Sequence, residues 1–213
     1  MPFPKIGNLA PTFSLQDHEC NAVSLTDFKC KSAVVVYFYP KAMTPGCTVQ
    51  AQGLRDTAKA LKKLNAVVLG ISPDPIKKLA KFVERDALNF QLLSDEDHAV
   101  ADSYGAWGPK KFMGREFDGI LRTTFIVGKD GKLKAVMDKF KTKDHHTELL
   151  AALNALYLGY MASFVRSRFP EWASPALAKR FDQVRSLDPM GSSDRRWLTT
   201  FFRRTLFHPY HKK

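Results

Sequence analysis

The amino-acid sequence predicts an α/β protein, a three-layer α/β/α sandwich with a helical C-terminal extension, and three observations lead there. Short apolar, β-branched runs at 34–38, 66–72 and 90–95 alternate with helix-period stretches, the pattern of βαβ units. Two further runs, 121–127 and 132–137, flank the turn Gly128-Lys129-Asp130-Gly131 and read as an antiparallel hairpin that closes the sheet. Charge then shifts. Residues 1–154 carry a net +5 and residues 155–213 a net +7, so the last quarter of the chain holds more than half the excess. Residues 1–155 therefore read as one domain and 156–213 as a basic, aromatic-rich helical appendage.

Taken in order, residues 1–33 form an N-terminal hairpin: PTFSLQD alternates as a strand, a turn falls around His18–Asn21, and AVSLTDF returns. The opening MPFPKIGNLAPTF has two prolines and no continuous hydrophobic run, which argues against a secretory leader. Three cysteines, an odd number, do not suggest a disulfide scaffold, so a reducing cytoplasm is the expected location. Val34–Phe38 reads as a strand buried on both faces, and Pro40 ends it because proline lacks an N–H. After the loop Lys41–Gly46, a helix from Cys47 to about Leu64 feeds the strand 66–72. Pro73-Asp74-Pro75 breaks the chain and starts a helix through Ile76, Leu79, Phe82 and Val83, spaced for one buried face. The strand at 90–95 leads to a helix over 95–105, and Trp107–Gly119 reads as a loop. After the closing hairpin, Thr142 or Asp144 caps a helix that begins near His145.

The chemistry is expected at Cys47. A free cysteine is most often a small buried hydrophobe. Here it follows a Pro/Gly loop and stands in the first turn of a helix, where unpaired N–H groups and the positive dipole end favour the thiolate. Arg122 is the other notable residue, a cation inside the apolar, threonine-rich run LRTTFIV. On its own it reads equally well as an arginine snorkelling at a sheet edge.

Pro40, Thr44 and Cys47 together spell P-x-x-x-T-x-x-C, and FYPKAMTPGCT resembles the peroxiredoxins, specifically the Q-type or bacterioferritin comigratory branch. Three further segments match in order: NFQLLSDEDHAVADSYGAWG, KKFMGREFDGILRTTFIV and KDGKL, so the resemblance covers roughly residues 4–155. It implies the thioredoxin fold with peroxiredoxin insertions. It implies further that Cys47 attacks the O–O bond of hydrogen peroxide or an organic hydroperoxide and is left as a sulfenic acid, with no cofactor. In the family pattern Arg122 stabilises the thiolate and polarises the peroxide, while the Thr44 hydroxyl hydrogen-bonds both. Pro40 shields the sulfur from water, and the backbone N–H groups of Gly46 and Cys47 complete an anion-friendly pocket.

The chain departs from the family pattern where many Q-type members carry a second, resolving cysteine. Five residues past Cys47 stands Gln52, and the alternative site in the following helix holds Phe82, Val83 and Glu84. Cys20 and Cys30 occupy turn-like positions where the family more often has glycine, and neither matches a resolving position. A 1-Cys cycle is expected, with thioredoxin or glutathione/glutaredoxin as the external thiol. His145-His146 is not expected to bind a metal, because adjacent helical residues point about 100° apart. Neither phosphate-loop glycine motif occurs.

In the extension, residues 149–165 carry no charge but are short for a membrane span, and a helix packed on the domain or on another subunit is expected. A second helix follows Pro170, DPMGSS reads as a linker, and the last segment alternates Trp197, Phe201 and Phe202 with Arg195, Arg196, Arg203 and Arg204. That segment suits an anionic membrane surface or nucleic acid phosphates. The favoured reading docks its apolar side on protein, within the chain or through self-association. A second function class, a redox sensor whose extension engages a partner, stands beside the enzyme.

Overall fold

The computed structural model describes residues 2–112 and 114–168. A seven-stranded sheet forms its centre, its strands in the order 22–24, 14–17, 91–94, 66–72, 33–38, 123–127 and 133–137. β1 (Ser14–Asp17) and β2 (Ala22–Ser24) make the N-terminal hairpin at one edge. β3 (Ala33–Phe38), β4 (Ala66–Ser72) and β5 (Gln91–Ser94) run parallel in the middle. β8 (Thr123–Val127) and β9 (Leu133–Met137) form the closing hairpin, and β8 pairs antiparallel with β3.

The alternation of β3 separates two cores. Val34, Val36 and Phe38 point into one, with Phe13, Leu25, Ala101 and Tyr104. Val35, Tyr37 and Tyr39 point into the other, against Ala51 and Leu54 of α1 (Pro45–Asp56) and Leu61 of α2 (Ala58–Lys63). Leu79 and Phe82 of α3 (Ile76–Asp86) join that second core, as do Leu149 and Leu153 of α5 (His145–Arg168). α4 (Ala99–Ser103) lies on the first face. Both parallel crossovers place their helices on one side, as right-handed connections moving in one direction along a sheet must. The result is the expected α/β/α sandwich.

Several elements differ in extent from the sequence reading. The helix carrying Cys47 starts two residues earlier, at Pro45, with Thr44 as its N-cap in extended geometry. It stops at Thr57, whose hydroxyl bonds back to the carbonyls of Gly53 and Leu54 and so competes with helix continuation. The helix expected over 95–105 is only Ala99–Ser103, because His98 is left-handed at φ 52° and breaks the helical path before it, while the buried Asp95 carboxylate accepts the first-turn N–H groups of Val100 and Ala101. Residues 107–119, read as a loop, instead form a two-stranded hairpin of β6 (Trp107–Phe112) and β7 (Arg115–Ile120). Its Gly, Pro and Lys content hid it, and Gly114 at φ +79° makes the turn.

Cys20 and Cys30 are both exposed and both left-handed, at φ 65° and 63°. Glycine takes that conformation freely, whereas another L-residue pays about 1–2 kcal/mol. Cys30 precedes β3 and Cys20 follows β1, which runs antiparallel to β5, so both lie at the end of the sheet where the parallel strands begin. Cys47 follows the opposite end of β3, roughly 20 Å away along a six-residue strand.

The chain divides into two compact units, Met1–Tyr157 and Leu158–Lys213. In the first, Leu149 and Leu153 of α5 are buried; in the second, Leu158 and Tyr160 are exposed. Among the described residues no helix is long and apolar enough to cross a membrane. The second helix after Pro170, the DPMGSS linker and the terminal basic, aromatic segment lie outside the described residues.

Candidate active site

The C-terminal end of β3 delivers the chain into the site. Tyr39 still bonds to the Ile71 carbonyl, and Pro40, half-buried, ends the pairing. The loop that follows is held by a residue from another crossover. The Ala42 N–H donates to the buried Asp74 carboxylate at 2.6 Å, and Ser72 and Lys78 bond the same group. This brace fixes a strained turn, since Met43 sits at φ 66°. Asp74 was legible in the sequence only as part of a helix-breaking Pro-Asp-Pro.

Thr44 caps α1 through its carbonyl, which accepts the Thr48 N–H at 2.8 Å, while its hydroxyl donates to the Lys41 carbonyl at 3.0 Å. With that proton committed, the hydroxyl can accept a hydrogen bond but does not donate one to the Cys47 sulfur, the half of its expected role that this geometry does not supply. Gly46 and Cys47 follow in the first turn, where N–H groups have no intrahelical partner. Cys47 is 2% exposed, among Tyr39, Ala42 and Ala51.

Register explains the arginine. β8 is antiparallel to β3, with Phe38 opposite Thr123, so the residue before Thr123 stands where β3 runs into the loop. That residue is Arg122, half-buried, with Nη2 3.3 Å from the Cys47 Sγ. Its Nη1 donates to Gln50 Oε1, one turn along α1. Gln50 Nε2 lies 3.2 Å from His145 Nδ1, and His145 Nε2 lies 2.9 Å from Thr124 Oγ1. Sequence reasoning missed both Gln50 and His145: Gln50 lies 72 residues from Arg122 and 95 from His145 along the chain.

His145 is fully buried, and burial, then the positive charges of Arg122 and His146, push its pKa down to about 3. Burial first, then the charges of Tyr39 and Cys47, hold the Tyr37 hydroxyl well above its usual range. Lys110 of the β6–β7 hairpin donates to the Ile120 carbonyl, and burial followed by the Arg122 charge lowers its pKa. His146 meets α1 one turn farther along than His145 does, so close that a Cβ on Gly53 would lie 2.6 Å from its ring. No cluster of three or more His, Cys, Asp or Glu among the described residues could hold a metal.

The His145 shift has a measurable consequence. Unfolded, the imidazole binds a proton near pH 6.5; folded, only near pH 3. Between those values the unfolded chain holds more protons, so the contribution to stability is complete above about pH 6.5 and is lost as pH falls toward 3. Urea unfolding should show this as a slope of up to about 1.4 kcal/mol per pH unit that His145→Asn flattens. An identical slope in the variant would show that other groups carry the acid sensitivity.

A family model described as AhpC/TSA matches residues 6–136. The chain belongs to the AhpC/TSA family. Within it, this chain is 55% identical over 151 residues to a putative peroxiredoxin bcp of Haemophilus influenzae, covering 71% of this chain and 97% of the relative. It is 56% identical over 146 residues to peroxiredoxin Bcp of Escherichia coli, covering 68% and 93%. Among solved structures it resembles peroxidoxin BcpB of Mycobacterium tuberculosis, at 36% identity and a TM-score of 0.63, covering 71% of this chain and 97% of that one. The bacterioferritin comigratory protein of Xanthomonas campestris, studied for alkyl peroxide reduction, matches at 29% identity and a TM-score of 0.64, covering 68% and 92%. These likenesses place this peroxiredoxin in the Bcp, or Q-type, branch with its thioredoxin-like fold, and they support thiol peroxidase activity.

Proposed function

We propose that this peroxiredoxin is a 1-Cys peroxidase of the cytoplasm, reducing hydrogen peroxide and organic hydroperoxides through a Cys47 sulfenic acid that an external thiol regenerates. The observation that carries the reading is the Arg122 guanidinium 3.3 Å from a buried sulfur at a helix N-terminus. The thiolate attacks the nearer peroxide oxygen; an S–O bond forms as the O–O bond breaks, and the departing oxygen takes a proton to leave as water or alcohol. Arg122 stabilises the thiolate and the charge passing onto the leaving oxygen, and the Gly46 and Cys47 N–H groups add to that stabilisation. The Thr44 hydroxyl accepts the peroxide O–H, and Pro40 keeps bulk water off the sulfur. A thiol then displaces hydroxide from the sulfenic sulfur, releasing water and leaving a mixed disulfide, which a second thiol reduces. Thioredoxin or glutathione with glutaredoxin supplies those thiols. All of these residues fall within 1–155, which we take as the catalytic unit, with 156–213 as an appendage.

The 1-Cys reading rests on two features. Gln52, in the place of a resolving cysteine, donates to Asp86 of α3 at 2.9 Å, and Arg55 and Arg85 bond the same residue. The remaining thiols, Cys20 and Cys30, lie toward the opposite end of the sheet, whereas a disulfide needs Cα atoms within about 7 Å. After one equivalent of peroxide, a sulfenic-acid trap should label Cys47 in the wild type and in a Cys20→Gly/Cys30→Gly variant alike. Mass analysis without reductant should find no internal bridge; a Cys47–Cys20 or Cys47–Cys30 bridge in high yield would make the protein a 2-Cys enzyme. Peroxide consumption with the two thiol systems in parallel identifies the reductant.

A further inference from the structure

The buried imidazole of His145 is bonded on both ring nitrogens and is linked to the reactive sulfur through two side chains, yet nothing in the proposed reaction uses it. The hydrogen-bond logic of the chain has one solution. Arginine only donates, so the Gln50 atom facing Arg122 is the amide oxygen. The Gln50 NH₂ then faces His145 and donates, so Nδ1 carries a lone pair. A neutral ring with a bare Nδ1 bears its proton on Nε2, which donates to Thr124 Oγ1. From this we infer that His145 is a positioning residue: its neutral Nε2–H form holds the Gln50 amide so that its oxygen anchors Arg122, and Arg122 thereby stays aimed at Cys47.

This role rests on the reading of Cys47 as nucleophile and Arg122 as its partner. Every element around the ring supports the neutral form. Burial disfavours a charged ring, and Arg122, just before β8, adds positive charge. Tyr37 from β3 packs its ring 6.2 Å away, with its hydroxyl held protonated by burial. Phe140, before α5, covers the imidazole at 4.4 Å, and α1 presents the Gln50 amide. A proton on Nδ1 would oppose the Gln50 NH₂. The amide would turn over, two sets of donors would face each other at Arg122, and the guanidinium would lose its anchor.

The test compares His145→Leu, His145→Asn and Thr124→Val in the Cys20→Gly/Cys30→Gly background. The readouts are the rate of Cys47 oxidation by peroxide and the pH profile of Cys47 alkylation by iodoacetamide. Leucine removes both ring hydrogen bonds. Asparagine places an amide oxygen near the former Nδ1 position, and valine frees the ring proton to move to Nδ1. His145→Leu should slow oxidation about tenfold, the equivalent of one neutral hydrogen bond, and move the alkylation profile to higher pH. Thr124→Val should move both in the same direction, and His145→Asn should stay within about threefold of the parent.

If leucine and asparagine lose rate equally with the alkylation profile unmoved, His145 is core packing and the inference is overturned. Should His145→Leu fail to fold, Thr124→Val decides: an unchanged rate and profile overturn the inference. Alkylation needs no peroxidase activity, so this test remains readable even if Cys47→Ser were to show that the nucleophile lies elsewhere.

Discussion

Cys47→Ser is expected to abolish peroxide reduction, with a loss of at least about 10³-fold, as for removal of other catalytic nucleophiles. The effect is chemical. A serine hydroxyl stays protonated at neutral pH, and its oxygen forms no counterpart of the S–OH product. The site itself should survive, because the replaced atom is similar in size and Arg122 can still donate to the new oxygen. The cost in stability should be about 1–2 kcal/mol, for placing a hydroxyl where a weakly polar sulfur was buried among Tyr39, Ala42 and Ala51. Steady-state consumption of hydrogen peroxide and of an alkyl hydroperoxide, with circular dichroism to confirm folding, gives the answer. Cys20→Gly and Cys30→Gly should keep full activity, since both cysteines are exposed and lie toward the other end of the sheet. Retention of substantial turnover by Cys47→Ser would overturn the assignment of the nucleophile.

What could be read from the sequence depended on how local the signal was. The Val34–Phe38 run and the loop ending at Gly46 located the central strand and the helix start, because burial on both faces and the Pro/Gly breaks are properties of adjacent residues. The antiparallel hairpin that places Arg122 was visible for the same reason, in its Gly-Lys-Asp-Gly turn. Cys20 and Cys30 were recognisable as turn residues, and their positive φ values give the physical reason glycine suits those positions. The supports of the site were not legible. Asp74 reaches the Ala42 N–H across 32 residues, and Gln50 meets His145 across 95; nothing near either residue announces its partner. His145 stood out in the sequence only as half of a His pair, and a metal was the only role weighed for it. The β6–β7 hairpin was missed because its strands are rich in Gly, Pro and Lys and its pairing is local backbone to backbone, with little apolar alternation to report it.

Arg122→Ala is expected to have the second largest effect, slowing the reaction of Cys47 with peroxide by about 10²–10³-fold. Two losses contribute. The positive charge beside the sulfur disappears, and because such a charge favours the thiolate, the pH profile of the peroxide reaction should shift to higher pH. The donor aimed at the developing negative charge on the leaving oxygen disappears too, and one such donor contributes about 10²–10³ in rate elsewhere. The two losses share one group and will not simply multiply. Arg122→Lys separates them. A lysine keeps the charge, so the pH profile should move back toward the wild type. It has one nitrogen where arginine uses two, Nη1 on Gln50 and Nη2 on the sulfur, so the rate at high pH should stay low. Measured second-order rate constants across pH for the three proteins resolve these contributions. An alanine variant within about threefold of the wild type at every pH would mean that the guanidinium is a bystander to the chemistry, held at the sheet end by Gln50 alone.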